Sequence, residues 1–196
     1  MVRKHFPKHS PEQVRAEAGR LYNEGKHKDR EFLQPFRDSV VRMLSEHIGL
    51  CCLSKSNANI LMWSHYAHNH AGFCLEFSAS DHTPFFGEAQ EVRYATDFPV
   101  VDFFNTQHEK QVDLIFLTKF IGWQYEEECR IIDHQSGPGL HGYPIDLLES
   151  VTFGLRMTED DKRKIRSWLA KRGTHVKLFQ ASIDHREFKV VTTEVE

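Results

Sequence analysis

The sequence has no run of about 18 consecutive apolar residues, so no helix is expected to span a membrane. Its start, Met1-Val2-Arg3-Lys4-His5, leads into no apolar stretch of the kind that builds a secretory signal. Cysteine is scarce. Cys51, Cys52, Cys74 and Cys129 form neither a CxxC pair nor the spacing of a disulfide framework. Three of them sit in apolar, strand-like stretches and are expected to be reduced core thiols in a cytoplasmic protein. Charge of one sign is also lacking. With 25 Lys and Arg against 28 Asp and Glu the formal net charge is −3, which excludes the whole-molecule positive field of a non-specific nucleic-acid binder. A local basic patch stays open. GxGxxG, the P-loop, GxSxG and HExxH are all absent, as are internal repeats and low-complexity stretches.

What is present is the composition of a globular protein. Hydrophobic residues at 40% and charged residues at 27% leave little room for disorder. A chain of 196 residues suits one domain with a helical appendage, expected at residues 1–48 and 49–196.

In the first segment, Ser10-Pro11-Glu12-Gln13 is a capping box with proline at the first helical position. Val14, Ala18, Leu21 and Tyr22 then recur at helical spacing, and Gly25 can end the helix. A second helix is expected from about Asp29 to His47, with Phe32, Phe36, Val40, Met43 and Leu44 as its apolar stripe. Pro35 lies in its first turn or kinks it.

Beyond Gly49 the pattern alternates. Strands are expected at Leu50–Leu53, Gly72–Phe77, Glu91–Tyr94, Tyr125–Ile132, Val151–Gly154, Val176–Phe179 and Phe188–Val191. Helices are expected at Ile60–His68, after the capping box Thr106-Gln107-His108-Glu109, and after Thr158. Lys119 falls on the apolar stripe of Val112, Ile115, Phe116 and Phe120, an unusual place for a lysine. Ile165, Trp168 and Leu169 form the buried stripe of the last helix. The sum predicts an α/β (α+β) fold with a mixed, largely antiparallel sheet, flanking helices and an N-terminal helical segment.

Two stretches concentrate unusual residues: Met62-Trp63-Ser64-His65-Tyr66 through Gly72-Phe73-Cys74-Leu75-Glu76-Phe77, and Lys119 followed by Trp123-x-Tyr125-Glu126-x-Glu128-x-Arg130. Together with Cys52-Leu53-Ser54, Val92-x-Tyr94 and Phe153-Gly154, they resemble the bacterial family DUF2971 over about Gly49 to Gly154. Two departures stand out. No upstream strand with an Asn-Asp-Pro motif is visible, so the chain is expected to be N-terminally shortened, and His68 stands where the family often has an acidic residue. The family layout is similar to that of ADP-ribosyltransferases, with a central aromatic motif and a late Glu-x-Glu strand. That is an analogy between folds.

Period two places Glu126, Glu128 and Arg130 on one strand face. As a site wall, such a face would orient a ribose hydroxyl or stabilise a developing cation, and adjacent carboxylates would raise one pKa. As structure, it would be an exposed Glu–Arg pair. His65 and Tyr66 either line a pocket or cap and pack. Trp63 either joins them or anchors the core. Lys119 either neutralises Glu126 and Glu128 or holds a phosphate. His65, His68, His70 and Cys74 lack the second paired cluster of a zinc site, so no metal is expected.

The leading expectation is a nucleotide-handling, NAD-using enzyme with an ADP-ribosyltransferase-like layout. Glu128 would be the catalytic carboxylate, with His65, Tyr66, Trp63, Glu76, Lys119, Glu126 and Arg130 around the ligand. Glu76 and Glu128 would point into one cleft with His65. Its rivals are a non-catalytic ligand- or partner-binding module, as in phage defence, and a degenerate copy without activity. A small-molecule or nucleotide ligand is expected, with no membrane partner and no strong nucleic-acid signal.

Overall fold

Pro11 at a helix start and glycine at its end already set the boundaries of the first element. The computed structural model describes residues 10–80, 82–99 and 108–195. The chain divides into two compact units, Met1–Ile48 and Gly49–Glu196.

In the first unit, α1 spans Pro11–Asn23. The Ser10 hydroxyl accepts from the Gln13 N–H, and the Gln13 side chain accepts from the Ser10 N–H at 2.8 Å, so both members of the capping box are engaged. Gly25 takes φ 73°, a left-handed turn that a side chain would resist. Helix α2 spans Arg30–His47, capped by Asp29, whose carboxylate accepts from the Phe32 N–H at 3.0 Å. Pro35 lies inside α2 rather than in its first turn. No residue of α1 is buried, and of the α2 stripe Phe32, Phe36 and Met43 are exposed while Val40 and Leu44 are half-buried, so among the described residues these stripes build no buried core.

The second unit runs β1 (Gly49–Ser54), α3 (Ile60–Tyr66), β2 (Phe73–Phe77), β3 (Gln90–Glu91), β4 (Arg93–Ala95), α4 (His108–Phe116), β5 (Thr118–Phe120), β6 (Glu128–Asp133), β7 (Leu148–Phe153), α5 (Glu159–Ala170), β8 (Lys177–Ile183) and β9 (Val190–Val195). Among the described residues the strands form three sheets: β1-β6-β3, β2-β7-β8-β9 and the pair β4-β5. Pairs β4–β5 and β7–β8 are parallel and the other ladders antiparallel, so the fold is α/β with largely antiparallel pairing. Helix α5 supplies the crossover that the parallel β7–β8 pair requires.

Three cores result. Phe153, Val151, Ile165, Leu148 and Val176 pack between α5 and its sheet. Trp63, Ala67, Ala181 and Val190 join α3 to β8 and β9. Phe86, Ile131 and Leu147 pack beside β6.

Several sequence expectations are corrected. Glu91–Tyr94 is not one strand but parts of β3 and β4, which belong to different sheets. Lys119 is not on a helix. Helix α4 ends at Phe116, and Thr118–Phe120 pairs with Arg93–Ala95, with Lys119 opposite Tyr94. The strand expected at Tyr125–Ile132 begins only at Glu128, because Ile121–Glu126 forms a 3₁₀ helix and Glu127 turns the corner at φ 44°. Trp168 is 61% exposed. The inward stripe of α5 is taken instead by Ile165, Leu169 and two cations stacked on Phe153, Lys162 at 6.0 Å and Arg166 at 5.0 Å. The cysteines are free, as expected; Cys51 and Cys74 are half-buried and pack against the cores, whereas Cys129 is half-buried on β6 and Cys52 is exposed, so only two of the four have a core role. The capping box at Thr106–Glu109 lies outside the fully described residues.

Candidate functional site

Asn59 sets the start of α3. Its side-chain oxygen accepts from the Leu61 N–H at 2.8 Å, and its amide donates to the Tyr125 carbonyl at 3.1 Å. One side chain therefore caps the helix and ties it to the 3₁₀ turn before β6. Trp63 points inward, 3% exposed, and its Nε1 donates to the Asn57 carbonyl at 2.6 Å. It is a core anchor and not part of an accessible ligand set. His65 and Tyr66 lie on the outer side of the same helix.

The chain leaves α3 through three successive left-handed residues, His68, Asn69 and His70, at φ 48°, 53° and 67°. The Gly72 N–H donates to the Ala67 carbonyl at 2.7 Å, and the Gly154 and Arg156 N–H groups donate to the Gly72 and His70 carbonyls at 2.9 Å. A Cβ on Gly154 would overlap both carbonyl oxygens. The Phe153-Gly154 and Gly72 words are thus explained by a close backbone approach. Among the described residues no group of three or more His, Cys, Asp or Glu is placed to hold a metal.

A network of charge lies below Tyr66. Lys119 Nζ donates to Glu126 Oε2 and, at 2.9 Å, to Glu128 Oε2. Arg130 grips Glu128 with two bonds, Nε to Oε1 at 2.7 Å and Nη2 to Oε2 at 3.0 Å, while its Nη1 donates to the Phe116 carbonyl. The Tyr66 hydroxyl donates to Glu126 Oε1 at 2.8 Å. The Tyr94 hydroxyl accepts from the Glu128 N–H at 2.8 Å. Both carboxylate residues are buried, Glu126 at 2% and Glu128 at 6% exposure.

Two carboxylates and two cations balance, which is how such burial is tolerated. Burial alone would push the Glu128 pKa up. The Arg130 guanidinium, the Lys119 ammonium and the Cys52 thiol outweigh it and hold Glu128 at about 2. The expectation that neighbouring carboxylates would raise a pKa here is therefore reversed for Glu128, because Lys119 bridges the two carboxylates and Arg130 grips Glu128 from its own strand. Burial pulls Lys119 down, but its two carboxylate partners raise it on balance. The Tyr66 hydroxyl is raised, first by its bond to Glu126 and then by burial.

Above the network lies a group of rings. The His65 ring lies 6.3 Å from Trp123, 6.3 Å from Tyr66 and 6.5 Å from Tyr125, and Trp123 and Tyr125 are 5.9 Å apart. Lys119 Nζ sits 5.3 Å from the Trp123 ring centre, so the rings and the charges share a member. Tyr66 is 63% and Trp123 40% exposed. Trp123 and Tyr125 were not among the expected ligand residues. Their signal was there in Trp123-x-Tyr125-Glu126, beside the acidic pair.

Of the expected residues, the fold gathers His65, Tyr66, Lys119, Glu126, Glu128 and Arg130. It does not bring in Glu76. That carboxylate lies on β2, opposite Ser150, and accepts from its hydroxyl at 2.6 Å. β2 pairs into a different sheet from β6, so the expected cleft shared by Glu76, Glu128 and His65 is not formed by these contacts.

A family model described as "Protein of unknown function (DUF2971)" matches residues 62–131, which bears out the resemblance seen in the sequence. The matched span contains every charged residue of the network and every ring of the group above it. No curated protein and no solved structure matches the chain.

Proposed function

We propose that this unit is a ligand-binding module. Its exposed rings, His65, Tyr66 and Trp123, backed by the half-buried Tyr125, take a planar ring of nucleotide type, and the charge network beneath them is their rigid floor. The observation that carries this reading is the Tyr66–Glu126–Lys119 chain of hydrogen bonds. It fixes an exposed ring to a buried, neutralised base, so little conformational freedom is lost on binding. Stacking needs only an accessible π-face, and Tyr66 and Trp123 offer one each.

Binding is favoured over transfer because Glu128 has no free oxygen. Both accept from Arg130, and one also accepts from Lys119. Reaching a ribose hydroxyl would require breaking a two-pronged pair. The NAD-using reading is the alternative: Glu128 is a buried carboxylate kept ionised by its two cations, as stabilising a cationic transition state requires.

The test is titration with NAD, AMP and adenosine, followed by tryptophan fluorescence and calorimetry. Saturable binding is expected, weakened about tenfold or more by Trp123→Ala, in line with about 1–3 kcal/mol for a stacked ring. Circular dichroism should be unchanged, since Trp123 is partly exposed. Absence of saturable binding to all three compounds would overturn the proposal. Release of nicotinamide from NAD, abolished by Glu128→Gln, would replace it with the transferase reading.

A further inference from the structure

Helix α5 carries a surface that the ring site does not use. From Lys162 to Arg172 the chain holds six cations and no carboxylate, against a net charge of −3 for the whole chain. The inner cations are committed: Lys162 and Arg166 to Phe153, and Arg172 to Tyr143 and the Ile145 carbonyl. The outer ones are not. Arg163, Lys164, Ser167, Trp168 and Lys171 recur at helical spacing and are all exposed. Among the described residues Arg163 and Lys164 pair with Asp160 and Asp161 of the first turn, and those pairs are half to three-quarters exposed. Such pairs exchange readily with water and with other anions. A shallow hollow of about 400 Å³ lies between them, lined by Asp160, Arg163, Lys164, Ser167 and Trp168.

We propose that this outer face of α5 binds single-stranded nucleic acid, with Trp168 stacking on a base and Arg163, Lys164 and Lys171 contacting phosphates on either side. Charge complementarity selects the partner. An exposed tryptophan with cations one turn before and one turn after it offers a base platform between two phosphate contacts. From Arg163 to Lys171 the helix rises about 12 Å, room for a short segment of strand rather than a long track. A membrane surface would need a broad apolar face, and Trp168 is the one large apolar side chain on this stripe.

The experiment uses the full chain and fluorescently labelled single-stranded oligonucleotides of DNA and RNA, read by anisotropy across a salt series. Binding is expected at low salt, with a slope of log affinity against log salt near −2, about −0.7 for each of three phosphates. Trp168→Ala should weaken it about tenfold. The pair Lys164→Glu and Lys171→Glu should weaken it further and flatten the slope. All three side chains are exposed, so circular dichroism should confirm an intact fold, and Phe188→Ala, an exposed ring in the β8–β9 turn outside both α5 and the ring group, serves as the control that changes nothing. No binding at low salt would overturn the proposal. So would binding indifferent to both α5 variants. Equal or tighter binding of a polyglutamate peptide or of anionic vesicles, lost in the same variants, would overturn it in favour of an acidic protein or a lipid surface.

Discussion

Two groups of ion pairs in this chain use the same residue types to different ends. Around β6, Lys119, Glu126, Glu128 and Arg130 are 20%, 3%, 6% and 15% exposed, and each charge is shared or gripped by more than one bond. On α5, Arg163–Asp160 and Lys164–Asp161 are single contacts between side chains at least 47% exposed. The buried group is conditional: each charge is tolerated because the others are present, and removing one strands its partners. The exposed pairs are independent, since water replaces a lost partner. The first group can serve as a fixed floor, and the second leaves its cations free to be recruited.

The sharpest way to break that comparison is Lys119→Met. It leaves Glu126 and Glu128 buried with one cation fewer, and should destabilise the protein by about 3–5 kcal/mol in urea unfolding. A loss under about 1 kcal/mol would mean that the network is no more than a surface pair. The next effect is in pH. Glu128 is held at about 2, below the ordinary 4.5, so its stabilising contribution is complete above the ordinary value and is lost as pH falls from there towards 2. Glu128→Gln should lower stability at neutral pH by about 3 kcal/mol and flatten that acid limb, as shown by melts between neutral pH and pH 2. The smallest effect is expected on α5. Arg163→Gln should leave the melting temperature unchanged within error, in low salt and in high.

The two groups also differ in how legible they were. The acidic face of Glu126 and Glu128 was visible as an Glu-x-Glu word, and Lys119 as a misplaced lysine on an apolar stripe. Their meeting was anticipated as the neutralising alternative. The route was not, because period-two reasoning ran the strand back through Glu126, where the chain forms a 3₁₀ helix and a left-handed corner. Trp168 was misjudged for a related reason. A helix pattern shows which residues are apolar, but not that Lys162 and Arg166 will lay their stems on Phe153 and take the inner face.

By itself the sequence determined the local elements: the Ser10 and Thr158 helix starts, the left-handed turn at Gly25, the strand at Phe73–Phe77 though not its buried face, and the family words within residues 62–131. These follow from interactions within a few residues, which are written in order along the chain. Tertiary structure alone decided that Tyr66 meets Glu126, that Lys119 bridges β5 and β6, and that Glu76 goes to Ser150 instead. Those contacts join residues up to 74 positions apart. They depend on which strands pair and in what register, and a one-residue shift in register would turn the strand residues among them, Lys119, Glu128 and Glu76, to the opposite face.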